Sequence, residues 1–208
     1  MPTNPIVIDD EPAFEWDEAP PLSPALFEFR PPGVPDSARA IHDETTDAII
    51  GYQAGFGGIF RNYDLTGQLQ SIEELPLEAP LIDPLDAVLL VGTAWKVGSR
   101  LVRGAVLARA GVTVSQSTLI GLRTRFFALS KKQLRFTAKA LLHMGEAGRF
   151  VPVHILRLAI LYGKRAPDPR NAVGYFMYTI TVTVRGKPYL LEVLVHERNY
   201  TIAHFLYK

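Results

Sequence analysis

Cysteine is absent from the 208-residue chain, which excludes disulfide staples and thiolate metal ligands. The five histidines, His42, His143, His154, His196 and His204, show no HExxH or comparable ligand spacing, so no metal site is expected. No cofactor motif stands out, and none is expected. The opening residues lack the basic stretch and apolar core of a secretory signal, so export without a cleaved signal is the expectation. Long charge-free apolar runs are missing too. The most apolar stretch, 83–112, has the length to cross a bilayer but contains Lys96, Arg100, Arg103 and Arg109. Each is costly at a bilayer centre, so no stable transmembrane span is expected there.

One kind of charge is scarce in each half. Residues 1–86 hold 17 Asp and Glu against 3 Lys and Arg, whereas residues 87–208 hold 4 against 19. The near-neutral total therefore hides a strongly basic second half, which points to an anionic partner, nucleic acid above all.

Along the chain the expected class is α+β: an extended acidic arm, a helical middle, and C-terminal helices packed on a small antiparallel sheet. Residues 1–40 are rich in proline, which removes donors and restricts the preceding residue, so an extended docking arm is expected. Its aromatics Phe14, Trp16, Phe27 and Phe29 would anchor it on a partner or on the protein's own surface. Residues 41–112 read as a helical trafficking or packing region. Asp43 or Thr45 caps a helix start within 42–60, Asp64 and Gly67 mark a turn, and a glycine-spaced apolar helix occupies 83–112. Residues 113–208 read as a basic α+β unit. A helical connector comes first, then helical spacing in FTAKALLHMGEAGRF and VPVHILRLAILYGKR, the latter ended by Gly163. The period then switches to two in YFMYTITVTV, KPYLLEVLVHE and YTIAHFLYK, joined by turns at Arg185-Gly186-Lys187 and Arg198-Asn199.

The stretches FTAKALLHMGEAG, ILYGKRAPDP, YLLEVLVHE and YTIAHFLYK together resemble the C-terminal toxin modules of bacterial polymorphic toxin systems. These belong to the broad barnase, EndoU, colicin and RelE-like superfamily. The resemblance covers about residues 134–208. A related pattern places His-Ala-x-x-Arg-Met-x-Glu-Arg-Gly in the first helix. Ala140, Met144, Glu146 and Gly148 match it, whereas Lys139 stands for its histidine, His143 for its arginine and Ala147 for its second arginine. What the resemblance implies is an antibacterial effector, of the type VI secretion kind. It would be made in a bacterial cytoplasm, delivered to a target cell's cytoplasm, and act as a ribonuclease silenced by a cognate immunity protein. Residues 1–40 would then meet a secretion component or adaptor.

Metal-free RNA cleavage needs a base for the 2′-hydroxyl, an acid for the leaving oxygen and cations for the phosphorane. Histidine suits the first two and Arg or Lys the third. The catalytic candidates are His204 on the last strand, Lys139 and His143 four apart on one helix, and Glu192 within YLLEVLV. A carboxylate in so apolar a run either faces solvent or orients a basic residue such as Lys139 or His204. Lys164 and Arg165 are expected to grip phosphate, and Tyr178 and Tyr207 to stack bases. The immunity partner of a basic domain should present an acidic face. Alternatives are a DNase or ADP-ribosyltransferase toxin, a membrane-active effector working through 83–112, or a nucleic-acid-binding module without catalysis.

Overall fold

A computed structural model of the protein describes residues 12–74, 114–131 and 134–208. The glycine-spaced apolar stretch at 83–112 lies outside these residues. The fold is α+β. Among the described residues, eleven strands form two sheets: β1 Ala13–Phe14, β2 Phe27–Glu28, β3 Arg39–Asp43, β4 Ala48–Phe56, β5 Ile59–Asp64, β6 Leu69–Glu74, β7 Arg135–Thr137, β8 Lys164–Pro167, β9 Tyr175–Val184, β10 Lys187–His196 and β11 Thr201–Tyr207. Among the described residues, three α-helices accompany them: α1 Gln116–Lys131, α2 Ala138–Gly145 and α3 Val153–Tyr162.

The large sheet runs β1-β7-β11-β10-β9-β2, with β8 also paired to β9. Its centre is the antiparallel meander β9-β10-β11 that the period-two pattern predicts. Arg185 and Gly186 both take positive φ between Val184 and Lys187, as a two-residue hairpin requires. Alternation divides the sheet into two faces. Leu191, Val193, Val195, Ile180, Val182 and Phe205 are buried on one face, in the same cluster as Ile155, Leu158 and Ala159 of α3. Gly163 lets α3 stop against the sheet, because a Cβ there would lie 2.3 Å from the Ala159 carbonyl and crowd Thr179. On the other face, Met177, Thr179, Thr181, Leu190, Glu192, Leu194, His204 and Leu206 are exposed or half-buried.

The acidic arm is a clasp on the protein's own sheet. Ala13 and Phe14 pair with Thr137 and Phe136 at one edge, and Phe27 and Glu28 pair with Val184 and Thr183 at the other. Phe27 is buried edge-to-face against Phe150 and Tyr207, and Trp16, Leu22 and Leu26 pack on the same core. An unpaired sheet edge invites association, so both edges gain a cover from one segment.

Residues 42–60 do not begin a helix. They belong to a four-stranded antiparallel sheet, β3-β4-β5-β6. Asp43 accepts from the Thr46 amide and hydroxyl in a turn, not at a helix cap. Gly57 and Gly58, both at positive φ, form the two-residue hairpin between Phe56 and Ile59. The Asp64–Gly67 turn is present, with Asp64 accepting from the amides of Thr66 and Gln68. The connector helix α1 packs on this sheet. Gly51 admits Leu122, since a Cβ there would meet the Tyr63 carbonyl at 2.4 Å and the Leu122 methyls at 3.1 and 3.3 Å. Buried residues of both sheets belong to one core cluster.

Candidate active site on the open face of the large sheet

Strand register decides which candidate residues can act together. Paired residues on neighbouring strands face the same way. Lys164, Thr179, Glu192 and Leu206 form one row across the open face, and Ala166, Met177, Leu194 and His204 form the next. Lys164, Glu192 and His204 are therefore on one surface, with Glu192 and His204 as diagonal neighbours, roughly 7–8 Å apart. The alternation within YTIAHFLYK puts His204 and Leu206 opposite Phe205, as its spacing predicts.

Helix α2 supplies the wall beside His204. Chain pairing between β7 and β11 stops after Phe136 and Ile202, and α2 continues along the vacated edge. Thr137 fixes this junction: its hydroxyl accepts from the Ala140 amide and donates to the Ala203 carbonyl at 3.3 Å. The His143 ring then meets His204 and Phe205 edge-on, with centroids 6.4 Å away in each case. His143 is buried, and both its ring nitrogens are occupied: Arg149 Nη1 lies 2.9 Å from Nε2, and Glu146 Oε1 lies 3.4 Å from Nδ1. Glu146 and Arg149 also pair at 3.2 Å. His143 thus anchors a cation at the mouth of the site and has no nitrogen left for substrate. Lys139, on the same helix, is exposed.

His204 differs from His143. It is half-buried, and neither ring nitrogen has a hydrogen-bond partner among the described residues. Its pKa is depressed first by burial, then by His143, Lys139 and Arg149, with Glu192 opposing. The imidazole is therefore held neutral at physiological pH, the form a base needs. Glu192 holds Lys208 at 2.8 Å instead of orienting Lys139, and its side chain remains partly exposed.

Three expected substrate-binding residues face away. Arg165, Tyr178, Val193 and Phe205 form a row on the core face. Arg165 is committed to Glu197 at 2.5 and 2.9 Å and stacks over Phe176 at 3.4 Å. Tyr178 is buried and its hydroxyl donates to Glu197. Tyr207 packs with Phe27 and Tyr189 and donates to the Gly148 carbonyl. A two-residue period assigns these three to the far face from His204 once β8 is known to pair with β9. Sequence reasoning missed Arg149 and Lys208, both cations close to candidate residues in the chain.

Among the described residues no three His, Asp or Glu side chains gather as metal ligands would, and no helix is long and apolar enough to cross a membrane. No protein-family model, curated protein or solved structure matches this chain.

Proposed function

We propose that the protein is a metal-independent ribonuclease, the working part of an antibacterial effector silenced by an acidic partner protein. The observation that carries this reading is His204: a half-buried, neutral imidazole with free nitrogens on an open sheet face, ringed by cations. His204 takes the proton from a ribose 2′-hydroxyl, whose oxygen attacks the adjacent phosphorus. The bond from phosphorus to the 5′-oxygen breaks, leaving a 2′,3′-cyclic phosphate and a 5′-hydroxyl. Lys139 gives its proton to the departing oxygen, while Arg149 and Lys208 offset charge on the phosphorane. Glu192 positions Lys208 and steadies the protonated form of His204. Lys164 extends the cationic track three strands from β11, about 14 Å at ~4.8 Å per strand. The same track offers an acidic inhibitor a complementary surface.

The test incubates purified full-length protein, wild type and His204→Ala, with total RNA in the presence of a chelator and resolves the products on a gel. Discrete fragments ending in cyclic phosphate, lost in the variant, are expected. Intact RNA with the wild type, or equal cleavage by both, would overturn the proposal.

A further inference from the structure

A groove of about 590 Å³ opens on the side of the sheet opposite His204, where α1, α3 and the β10–β11 turn converge. That volume falls within the roughly 300–1,000 Å³ typical of small-molecule sites. Leu129 and Leu161 give it apolar walls, and Arg157, Tyr178, Glu197 and Tyr200 give it polar ones. Its charges do not balance internally. Glu197 is already neutralised by the fork of Arg165 and by the Tyr178 hydroxyl. Arg157 has no such answer: its Nε and Nη2 are sealed from solvent and have no acceptor among the described residues. The surplus charge of the groove is therefore Arg157's.

Buried polar atoms in folded proteins are nearly always paired, so these two guanidinium nitrogens stand out. A second observation lies at the rim of the groove. Tyr200 itself sits at a φ of 53° and is 53% exposed at the groove's rim. Left-handed backbone is unfavourable for a bulky aromatic residue and tends to persist where it places a side chain for use.

We infer that this groove is a second ligand site that takes a nucleoside monophosphate, with the phosphate drawn to Arg157 and the base laid on Tyr200. Arginine answers a phosphate with charge and two parallel hydrogen bonds, and the long stem lets its sealed edge swing toward an arriving oxyanion. An exposed tyrosine face binds any base by stacking. The site does not rest on the ribonuclease reading, since it shares no residue with the open face.

The test is calorimetric titration of the full chain with AMP, adenosine, ribose 5-phosphate and inorganic phosphate. AMP should bind roughly tenfold tighter than any of the three fragments, since it alone uses both the charge and the ring. Arg157→Met should weaken AMP roughly tenfold and raise the melting temperature of the free protein, because an uncompensated half-buried charge is removed. Tyr200→Ala, an exposed truncation, should weaken AMP about fivefold or more. His204→Ala should bind AMP like the wild type. The inference is overturned by AMP binding no tighter than its fragments, or by Arg157→Met binding it as well as wild type. A lower melting temperature in Arg157→Met would also overturn it, marking the arginine as structural. Should that variant not fold, wild-type affinity in Tyr200→Ala overturns the inference and reduced affinity upholds it.

Discussion

The two sheets treat polar side chains in opposite ways. In the small sheet they are buried and answer one another. Gln53 donates to Asn62 at 2.9 Å, Asn62 donates to Ser71 at 2.9 Å, and Thr118 of α1 donates to Ser71 at 2.8 Å. Asp43, 2% exposed, takes Arg123 of α1 at 2.5 and 3.0 Å. Glu73 closes the set by accepting from the Ser115 amide and hydroxyl. A network satisfied in this way fixes one arrangement of helix on sheet and leaves nothing to offer a substrate. On the open face of the large sheet, His204 and Lys139 are left without hydrogen-bond partners among the described residues. The difference separates the part that holds shape from the part that has unspent chemistry.

Substitutions should therefore fall into two classes. The largest effect expected is His204→Ala, which should lower RNA cleavage by roughly 10²–10⁴ while the melting temperature stays close to wild type. Asp43→Ala should do the reverse. It leaves Arg123, whose side chain is 29% exposed, with only the Thr45 hydroxyl and no carboxylate, so about 2 kcal/mol is expected after allowing for solvent screening. Urea titration measures that loss, and the cleavage rate well below the melting temperature should be unchanged. Its pH dependence has a definite sign. Burial pushes the Asp43 carboxyl up, but hydrogen bonds from Arg123 and Thr46 together hold it below its usual value. That stability is fully present above the unfolded carboxylate pKa and is lost as pH falls through the lowered folded value. Acid should therefore destabilise the wild type more steeply than Asp43→Ala.

How much of this comparison can be read from the sequence varies along the chain. The meander is legible because its apolar residues alternate over three long strands and Arg185-Gly186 punctuates them. Gly163 likewise announces the end of α3. The small sheet is misread as a helix start because Asp43 and Thr45 look like caps, and because Ala48, Ile49 and Ile50 are contiguous where a half-buried strand should alternate. All of β4 up to Gln53 is in fact buried, so alternation vanishes. Gly57-Gly58 was the available hairpin signal. The arm's two short strands pair with residues far away in sequence, which no local pattern encodes. For the site, His204 and its face follow from period two. The fates of Arg165 and Tyr178 turn on Glu197, a turn residue that no motif singles out.

A smaller effect sharpens the comparison within the open face. Lys139→Ala should reduce cleavage about 10²-fold, the low end of the range for loss of a general acid. It should also raise the His204 pKa, since Lys139 is among the groups that depress it. A proton-detected titration of the histidine ring would show the upward shift. An unchanged pKa would place Lys139 outside the site.

The most direct test of the central claim is the pH dependence of the initial cleavage rate of a dinucleotide by the full-length protein. If His204 is the base, the rate rises in proportion to its neutral fraction, with a midpoint below the ordinary histidine value near 6.5. The residual rate of His204→Ala should lack that limb. A limb that persists in the variant, or a wild-type plateau reached only well above pH 7, would contradict the assignment of catalysis to the open face.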